Sequence, residues 1–176
     1  MQIVKMLCIL LLSGTIQAQH HPPAQQSPYA PFKDRQIKAL SPEDREGYLN
    51  GEGMGMALPA ELNSYPGPKH IMELADQLAL SREQRRQTGK IIDEMHQQAV
   101  ALGKEIVEKE KQLDSLFVSG KIDPPILEKT VTDIASLRGR LRLTHLTAHL
   151  KMKALLTEDQ IKNYNRLRGY AGTGRH

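Results

Sequence analysis

Two long stretches of this chain carry apolar residues at the spacing of one helix face, and they constrain the fold more than any other feature. Steps of three and four residues bring side chains to one side of an α-helix, whereas a strand alternates every second residue. The first stretch, from about residue 82 to 119, has the stripe Ile92, Met95, Ala99, Leu102, Ile106, Leu113 and Leu116. The second begins near residue 124 and has Leu127, Val131, Ile134, Leu137, Leu141, Ala148, Met152 and Leu155. We therefore expect an all-α fold.

The few residues between these stretches favour a tight connection. The first helix should end near Ser119 and Gly120, while Asp123 suits a helix N-cap and Pro124 the first turn of the next helix. Two amphipathic helices joined so closely should pack as an antiparallel hairpin.

Two similar motifs flank this hairpin. Leu80-Ser81-Arg82-Glu83-Gln84 and Leu156-Thr157-Glu158-Asp159-Gln160 each place a hydroxyl residue three positions before a glutamine. In this capping box each side chain satisfies a backbone amide that the helix leaves unpaired. The first box predicts that the long helix begins at Arg82, and the second predicts a last short helix that ends before Gly169.

Two further local patterns complete the helical part. Residues 70–79 have apolar residues at helical spacing behind Pro68, which predicts another short helix. Leu156, before the second cap, is expected to pack against Ile161 as a hydrophobic staple.

The N-terminus is typical of a secretory signal peptide. Lys5 precedes the apolar run 6–12, and Ser13-Gly14 and the small residue Ala18 follow it. A membrane-spanning helix needs about 20 apolar residues, so this run is too short for one. We expect cleavage after Ala18, export, and no membrane span in the mature chain.

Export has consequences for the remaining composition. The single cysteine, Cys8, leaves with the signal peptide, so the mature chain has neither a thiol nor a disulfide. Loss of Lys5 leaves 23 basic against 20 acidic residues, and the net charge falls from +4 to +3. With two Phe, five Tyr and no Trp, few side chains are available to stack on bases, and we expect no nucleic-acid partner.

Between the signal peptide and the helical part, the composition predicts little regular structure. Residues 19–32 are rich in Pro, Gln and His, which indicates a flexible leader. Residues 33–68 form an irregular arm, in which Ser41-Pro42-Glu43-Asp44 can cap a short helix while the glycines at 51–55 and the segment 65–68 interrupt helices. The predicted organisation is a signal peptide at 1–18, leader and arm at 19–68, a helical domain at 69–170 and a disordered tail at 171–176.

The two boxes, the hairpin between them and the signal peptide together resemble the LTxxQ-motif (Spy/CpxP-like) family of periplasmic proteins, over about residues 69–170. Ser81 replaces the usual threonine without loss of the capping chemistry. The family includes ATP-independent chaperones of the envelope stress response and is related to the ZraP/CnrX-type periplasmic heavy-metal-binding proteins. The resemblance implies a periplasmic location and a curved helical homodimer that binds unfolded clients. The motif residues are Leu80, Ser81, Gln84, Leu156, Thr157 and Gln160.

The second long helix has a further apolar face in its C-terminal half, opposite Leu141 and Ala148. Large bare apolar patches are uncommon on monomers, so we expect this face to be covered. The covering is a second subunit, a client or the short helices alone. We expect a homodimer. The residues expected to contact clients are Leu143, Leu146, Leu150, Arg138 and Arg142.

Histidines on the long helices form a candidate metal site. His145 and His149 lie four apart on one helix face, a spacing that suits two ligands of one Zn, Cu or Ni ion. If the hairpin turns near residue 121, His96 lies level with His145, and Asp93 with His149. The alternative is that these are rim histidines, hydrogen-bonded to carboxylates or water. His70 and Glu73 are a second candidate pair, with an ordinary exposed turn as their alternative.

These features support two functional hypotheses. The first is a periplasmic stress-response protein that binds misfolded envelope proteins, and the alternative is a heavy-metal-binding sensor or resistance protein that uses the helix histidines. No sequence pattern indicates whether the protein is also the partner of a membrane sensor protein. We expect no enzyme and no required cofactor, because the mature chain lacks a cysteine nucleophile, a Gly-x-Ser-x-Gly motif and a phosphate-binding glycine loop.

Overall fold

The computed structural model describes residues 27–170, which contain a short 3-10 helix at Ala30–Phe32, six α-helices and no β-strand. The 3-10 helix belongs to a unit that ends at Lys33, and the α-helices belong to a second unit that begins at Asp34. The helices are α1 Pro42–Leu49, α2 Leu58–Glu61, α3 Pro68–Glu73, α4 Arg82–Val118, α5 Pro124–Leu155 and α6 Glu158–Leu167. The all-α class is confirmed, whereas the predicted signal peptide, most of the leader and the tail lie outside the described residues.

The two long helices α4 and α5 form the predicted hairpin. Asp123 caps α5 by accepting a hydrogen bond from the Ile126 amide at 2.8 Å, and Gly120 adopts the left-handed conformation that reverses the chain. The hairpin core consists of Ala99, Leu102, Ile106, Leu137 and Leu141. Ion pairs across the hairpin, such as Lys109–Asp133, show that residues whose numbers sum to about 242 are level, as expected.

Both capping boxes form, and their glutamines also bind each other. Ser81 and Thr157 each accept a hydrogen bond from the amide of their glutamine, and each donates its own amide to that side chain. Gln84 Nε2 then donates to Gln160 Oε1 at 2.8 Å, and Gln160 Nε2 donates to Gln84 Oε1 at 3.0 Å. We call this reciprocal amide pair the glutamine clasp. It joins the start of α4 to the start of α6.

A second apolar cluster lies beneath the clasp. It includes both members of the predicted staple, Leu156 and Ile161. Its other buried members come from α3, the turns after it, α5 and α6: Ile71, Ala75, Leu78, Leu80, Met152 and Tyr164.

The helix expected over residues 70–79 is shorter than predicted. It ends at Glu73, and the chain continues in turns to Ala79, which has a φ of +48°. A left-handed residue ends helical propagation, and here it lets Leu78 and Leu80 both enter the apolar cluster before the Ser81 cap. Tertiary packing thus overrides the local periodicity.

From Asp34 onward, the predicted arm packs against the hairpin and carries two helices. Ser41 caps α1 as its sequence suggests, accepting a hydrogen bond from the Asp44 amide at 3.0 Å. At the contact between α1 and α4, a Cβ on Gly103 would lie only 1.9 Å from the Tyr48 carbonyl oxygen. The arm therefore covers part of α4 and, through α2 and residues 65–67, part of α5. No helix within residues 27–170 combines the length and the apolar character of a membrane span.

Candidate metal-binding site

A cavity of about 670 Å³ lies where the arm covers the hairpin. Its walls come from residues 50–58, from α2 and the start of α3, and from the middle of α4 and of α5. Four histidines line it: His70, His96, His145 and His149. The structure therefore places all four histidines of the predicted metal site around one space.

His149 is held in a defined tautomer. The residue is 8% exposed, and its Nδ1 lies 2.7 Å from the Tyr65 carbonyl oxygen. A carbonyl oxygen only accepts, so Nδ1 must carry the proton and the lone pair of the neutral ring is on Nε2. Metal-binding histidines are usually oriented in this way, by donating the other ring N–H to a carbonyl or carboxylate.

His145 is more deeply buried, at 4% exposed, and its Nε2 has no hydrogen-bond partner among the described residues. Burial, and secondarily the nearby His149, lower the pKa of His145, so the ring is neutral at pH 7. An unsatisfied buried polar atom usually reduces stability by about 1–3 kcal/mol. A metal ion bound to Nε2 would satisfy this nitrogen. The donor atoms of the cavity therefore suit a metal ion.

Glu61 supports the site from α2. It is buried, and its Oε2 accepts a hydrogen bond from the Gly67 amide at 2.9 Å and lies 3.7 Å from His149 Nδ1. Its Oε1 accepts a hydrogen bond from the Tyr164 hydroxyl on α6. Burial, together with this bond to Glu61, raises the pKa of Tyr164. Both carboxylate oxygens of Glu61 are thus engaged within the protein.

Gly67 allows this close approach of the loop to α5. A Cβ at this position would lie 3.1 Å from His149 Cε1 and 3.2 Å from Glu61 Oε2. The sequence did not predict Glu61, Tyr65 and Gly67 as site residues. Only the break at residues 65–68 was visible, and it gave no sign of what the loop would cover.

Two carboxylates named as candidates lie away from the cavity. Glu73 accepts a hydrogen bond from His70 Nδ1 at 3.1 Å on the exposed side of α3, and this bond lowers the pKa of Glu73. Asp93 is exposed on α4 and does not line the cavity. Within residues 27–170, no three His, Cys, Asp or Glu side chains are grouped so as to hold a metal ion. The donors are therefore two buried imidazoles, with His96 and His70 towards the solvent.

The proposed client-binding residues lie on a different surface. Leu143 and Leu150 are 63% and 58% exposed, whereas Leu146 is half-buried. Arg142 is exposed, and Arg138 donates a hydrogen bond at 2.7 Å to the buried Glu110. Leu143 also borders a groove of about 400 Å³ between α4 and α5.

Comparison with known proteins agrees with the chemistry of the cavity. The model of a heavy-metal resistance family matches residues 53–162, a range that contains all four cavity histidines. No curated protein and no solved structure matches the chain. Because the match spans more than half of the sequence, the chain belongs to the heavy-metal resistance family, which is the family of the ZraP/CnrX-type proteins.

Proposed function

We propose that this protein binds a heavy-metal ion in the cavity between the arm and the hairpin, and that it serves metal resistance or sensing in the periplasm. The observation that carries the proposal is the buried Nε2 of His145, which has no hydrogen-bond partner within residues 27–170. The neighbouring His149 is bound to the Tyr65 carbonyl through Nδ1, which leaves its Nε2 for a metal ion. Membership of the heavy-metal resistance family supports the same role.

Each residue has a distinct part in this proposal. His145 and His149 supply the first two ligands, and His96 and His70 are available from the other walls. The Tyr65 carbonyl and Glu61 orient the His149 ring. Imidazole nitrogens suit Zn, Cu and Ni. The ion is the cargo, and the proposal involves neither an enzymatic reaction nor a further cofactor.

Thermal unfolding of the chain from residue 19 tests this proposal. The protein is measured with EDTA and then with Zn(II), Cu(II) or Ni(II), beside the double variant His145→Ala, His149→Ala. At 100 times the dissociation constant, an ion bound only by the native state should add about 2.7 kcal/mol. The double variant should lose this gain, whereas Asp93→Ala, which changes an exposed residue of α4 that does not line the cavity, should keep it. Identical melting curves for all ions would contradict the proposal.

A second function, the binding of unfolded envelope proteins, is favoured by the exposed Leu143 and Leu150. The short helices do not cover these side chains. Candidate partners for them are a client, a membrane sensor protein and a second copy of the chain. We propose homodimerisation as one such use of this surface.

Suppression of client aggregation in EDTA tests the second function. The variant Leu143→Ser, Leu150→Ser should suppress aggregation less than the native chain, while Leu62→Ser, which changes a leucine that is 59% exposed at the end of α2, should not. Sedimentation of the same proteins reports whether the leucines also hold a dimer. Equal suppression of aggregation by all three proteins would show that Leu143 and Leu150 do not contact clients.

A further inference from the structure

We propose that Asn165, on the last helix α6, is a positioning residue for the metal ligand His149. It acts through residues 61–67, which lead from the end of α2 to the start of α3 and which we call the α2–α3 segment. This inference rests on the proposed metal-binding function. It extends the site beyond the cavity, because Asn165 is not among the residues that line it.

Both ends of the α2–α3 segment are fixed by one carboxylate. At the start of the segment, Glu61 Oε1 accepts a hydrogen bond from the hydroxyl of Tyr164, a buried residue of α6. At its end, the Gly67 amide donates to the other oxygen of Glu61, Oε2, at 2.9 Å. The position of the residues between these two ends then depends on their own contacts with α5 and α6.

Ser64, in the middle of the segment, has an unusual backbone conformation. Its φ is +65°, in the left-handed region that residues with a side chain seldom adopt. Such a conformation persists where surrounding contacts hold it. Asn165 Nδ2 donates to Ser64 Oγ at 2.8 Å, and Lys153 Nζ of α5 donates to the Ser64 carbonyl at 3.1 Å. These two contacts hold Ser64 against the helices.

The next residue, Tyr65, carries the group that orients His149. Its carbonyl oxygen lies 2.7 Å from His149 Nδ1 and keeps the proton on that nitrogen. The position of this carbonyl depends on the backbone that leads into it from Ser64. Asn165 is therefore one hydrogen bond and one residue away from the contact that leaves His149 Nε2 for a metal ion. Residues that do not touch a metal commonly fix the orientation of its ligands in this way.

Stability alone does not explain the side chain of Asn165. Within residues 27–170, two buried side-chain polar atoms lack a hydrogen-bond partner, His145 Nε2 and Asn165 Oδ1. An unpartnered buried acceptor is unfavourable, so the amide lowers stability through its oxygen. Its nitrogen makes the hydrogen bond to Ser64. The contact with the α2–α3 segment therefore accounts for an amide at this position.

Metal affinity tests the role of Asn165. The chain from residue 19 is titrated with Zn(II), Cu(II) and Ni(II) in turn, in competition with a chromogenic chelator, and the ion bound most tightly is used for the variants. Asn165→Ala should lower the affinity for this ion by about tenfold or more, the usual scale for residues that orient a metal ligand. Both side chains are uncharged, so the substitution does not change the electrostatic attraction of the site for a cation.

The ring of His149 supplies a second readout. In the metal-free native chain, nitrogen NMR of this ring should show the proton on Nδ1. In Asn165→Ala the proton should exchange between Nδ1 and Nε2, because the hydrogen bond to Tyr65 that selects the tautomer is weakened. A general loss of stability would not change this signal in a folded protein. A lower affinity with an unchanged ring signal would overturn the inference.

Asn163→Ala is the matched control. Asn163 is on the same helix and donates through the same amide nitrogen at 3.0 Å, but to the Gln77 carbonyl, which lies outside the α2–α3 segment. This variant should retain the native affinity and the native ring signal. Equal losses in Asn163→Ala and Asn165→Ala would mean that α6 contributes only by its general packing, which contradicts the inference.

Ser64→Ala removes the same hydrogen bond from the side of the segment, and it replaces Asn165→Ala if cooperative unfolding in EDTA shows that this variant does not fold. Its affinity should fall as far as that of Asn165→Ala, and the double variant should lose no more, because the two side chains form one interaction. Native affinity in the folded variants overturns this inference and leaves the proposed metal binding in place. If the native chain binds none of the three ions, the proposed function is overturned as well.

Discussion

His145 illustrates at the scale of one residue how a ligand site differs from a packed core. Four positions apart on α5, His145 and His149 are both buried, but only His149 is given a partner, the Tyr65 carbonyl. The nitrogen of His145 has none among the described residues. A core optimised for stability alone would carry an apolar side chain at this position.

We therefore predict that His145→Leu stabilises the metal-free protein and removes its response to metal. Replacing an unpaired buried nitrogen with an apolar group should raise the free energy of unfolding by about 1 kcal/mol. His149→Leu is the comparison, because it leaves the Tyr65 carbonyl without its donor and should lower the free energy of unfolding by about 1–3 kcal/mol. Urea unfolding in EDTA measures both, and equal destabilisation by the two variants would mean that His145 has a partner in solution.

The sequence could predict the histidines of the site but not their surroundings. Helical spacing places His145 and His149 on one face, and the register of the hairpin brings His96 level with them, since both follow from local geometry. Glu61 and Tyr65 come from the arm, where no periodicity indicates which side chains are buried. Their role depends on contacts made far along the chain.

At the scale of helices, the contact of α1 with α4 depends on a glycine in the middle of a long helix. Gly103 lies directly beneath the Tyr48 carbonyl, and there is no room for a methyl group. Glycine lowers helix stability relative to alanine. Here it allows the arm to reach the hairpin and close one wall of the cavity.

Two glycine substitutions in α4 should therefore have opposite effects. Gly103→Ala places a Cβ 1.9 Å from a backbone oxygen that cannot move alone, so we expect α1 to separate from α4 and the free energy of unfolding to fall by about 1–3 kcal/mol. Gly89→Ala, also in α4, meets no atom within 4 Å and should raise it by about 0.5–1 kcal/mol. Thermal unfolding measures both changes, and a gain from Gly103→Ala would show that α1 does not dock in solution.

The helix ends show which local signals are sufficient. The caps at Ser81, Asp123 and Thr157 form as predicted, because each needs only a side chain and an amide three residues away. The end of α3 was not predictable, because Ala79 adopts its left-handed conformation to bring neighbouring leucines into the core. The hydrogen bonds between the two motif glutamines were likewise not predictable, because they join residues far apart in the chain.

At the scale of the whole molecule, the two proposed surfaces are separate. The metal cavity faces the arm, whereas Leu143 and Leu150 are exposed on another part of α5. Periodicity alone predicted the hairpin and its second apolar face, because both arise from repeated spacing along one helix. Periodicity could not predict what covers the histidine face or the second apolar face of α5, because this depends on how the irregular arm folds back.

The glutamine clasp has a consequence for how the domain opens. It connects positions 76 residues apart, whereas contacts near the hairpin turn close short loops. Closing a long loop costs more chain entropy than closing a short one. The single cysteine of the chain, Cys8, cannot form an intramolecular disulfide that would hold the clasp. The clasp should therefore form after the hairpin and be among the first contacts to break. If α6 also leaves the apolar cluster that buries Ile161 and Tyr164, the hydrogen bond from Tyr164 to Glu61 at the wall of the cavity is lost with it. Opening at this end would therefore loosen one wall of the metal cavity without unfolding the hairpin.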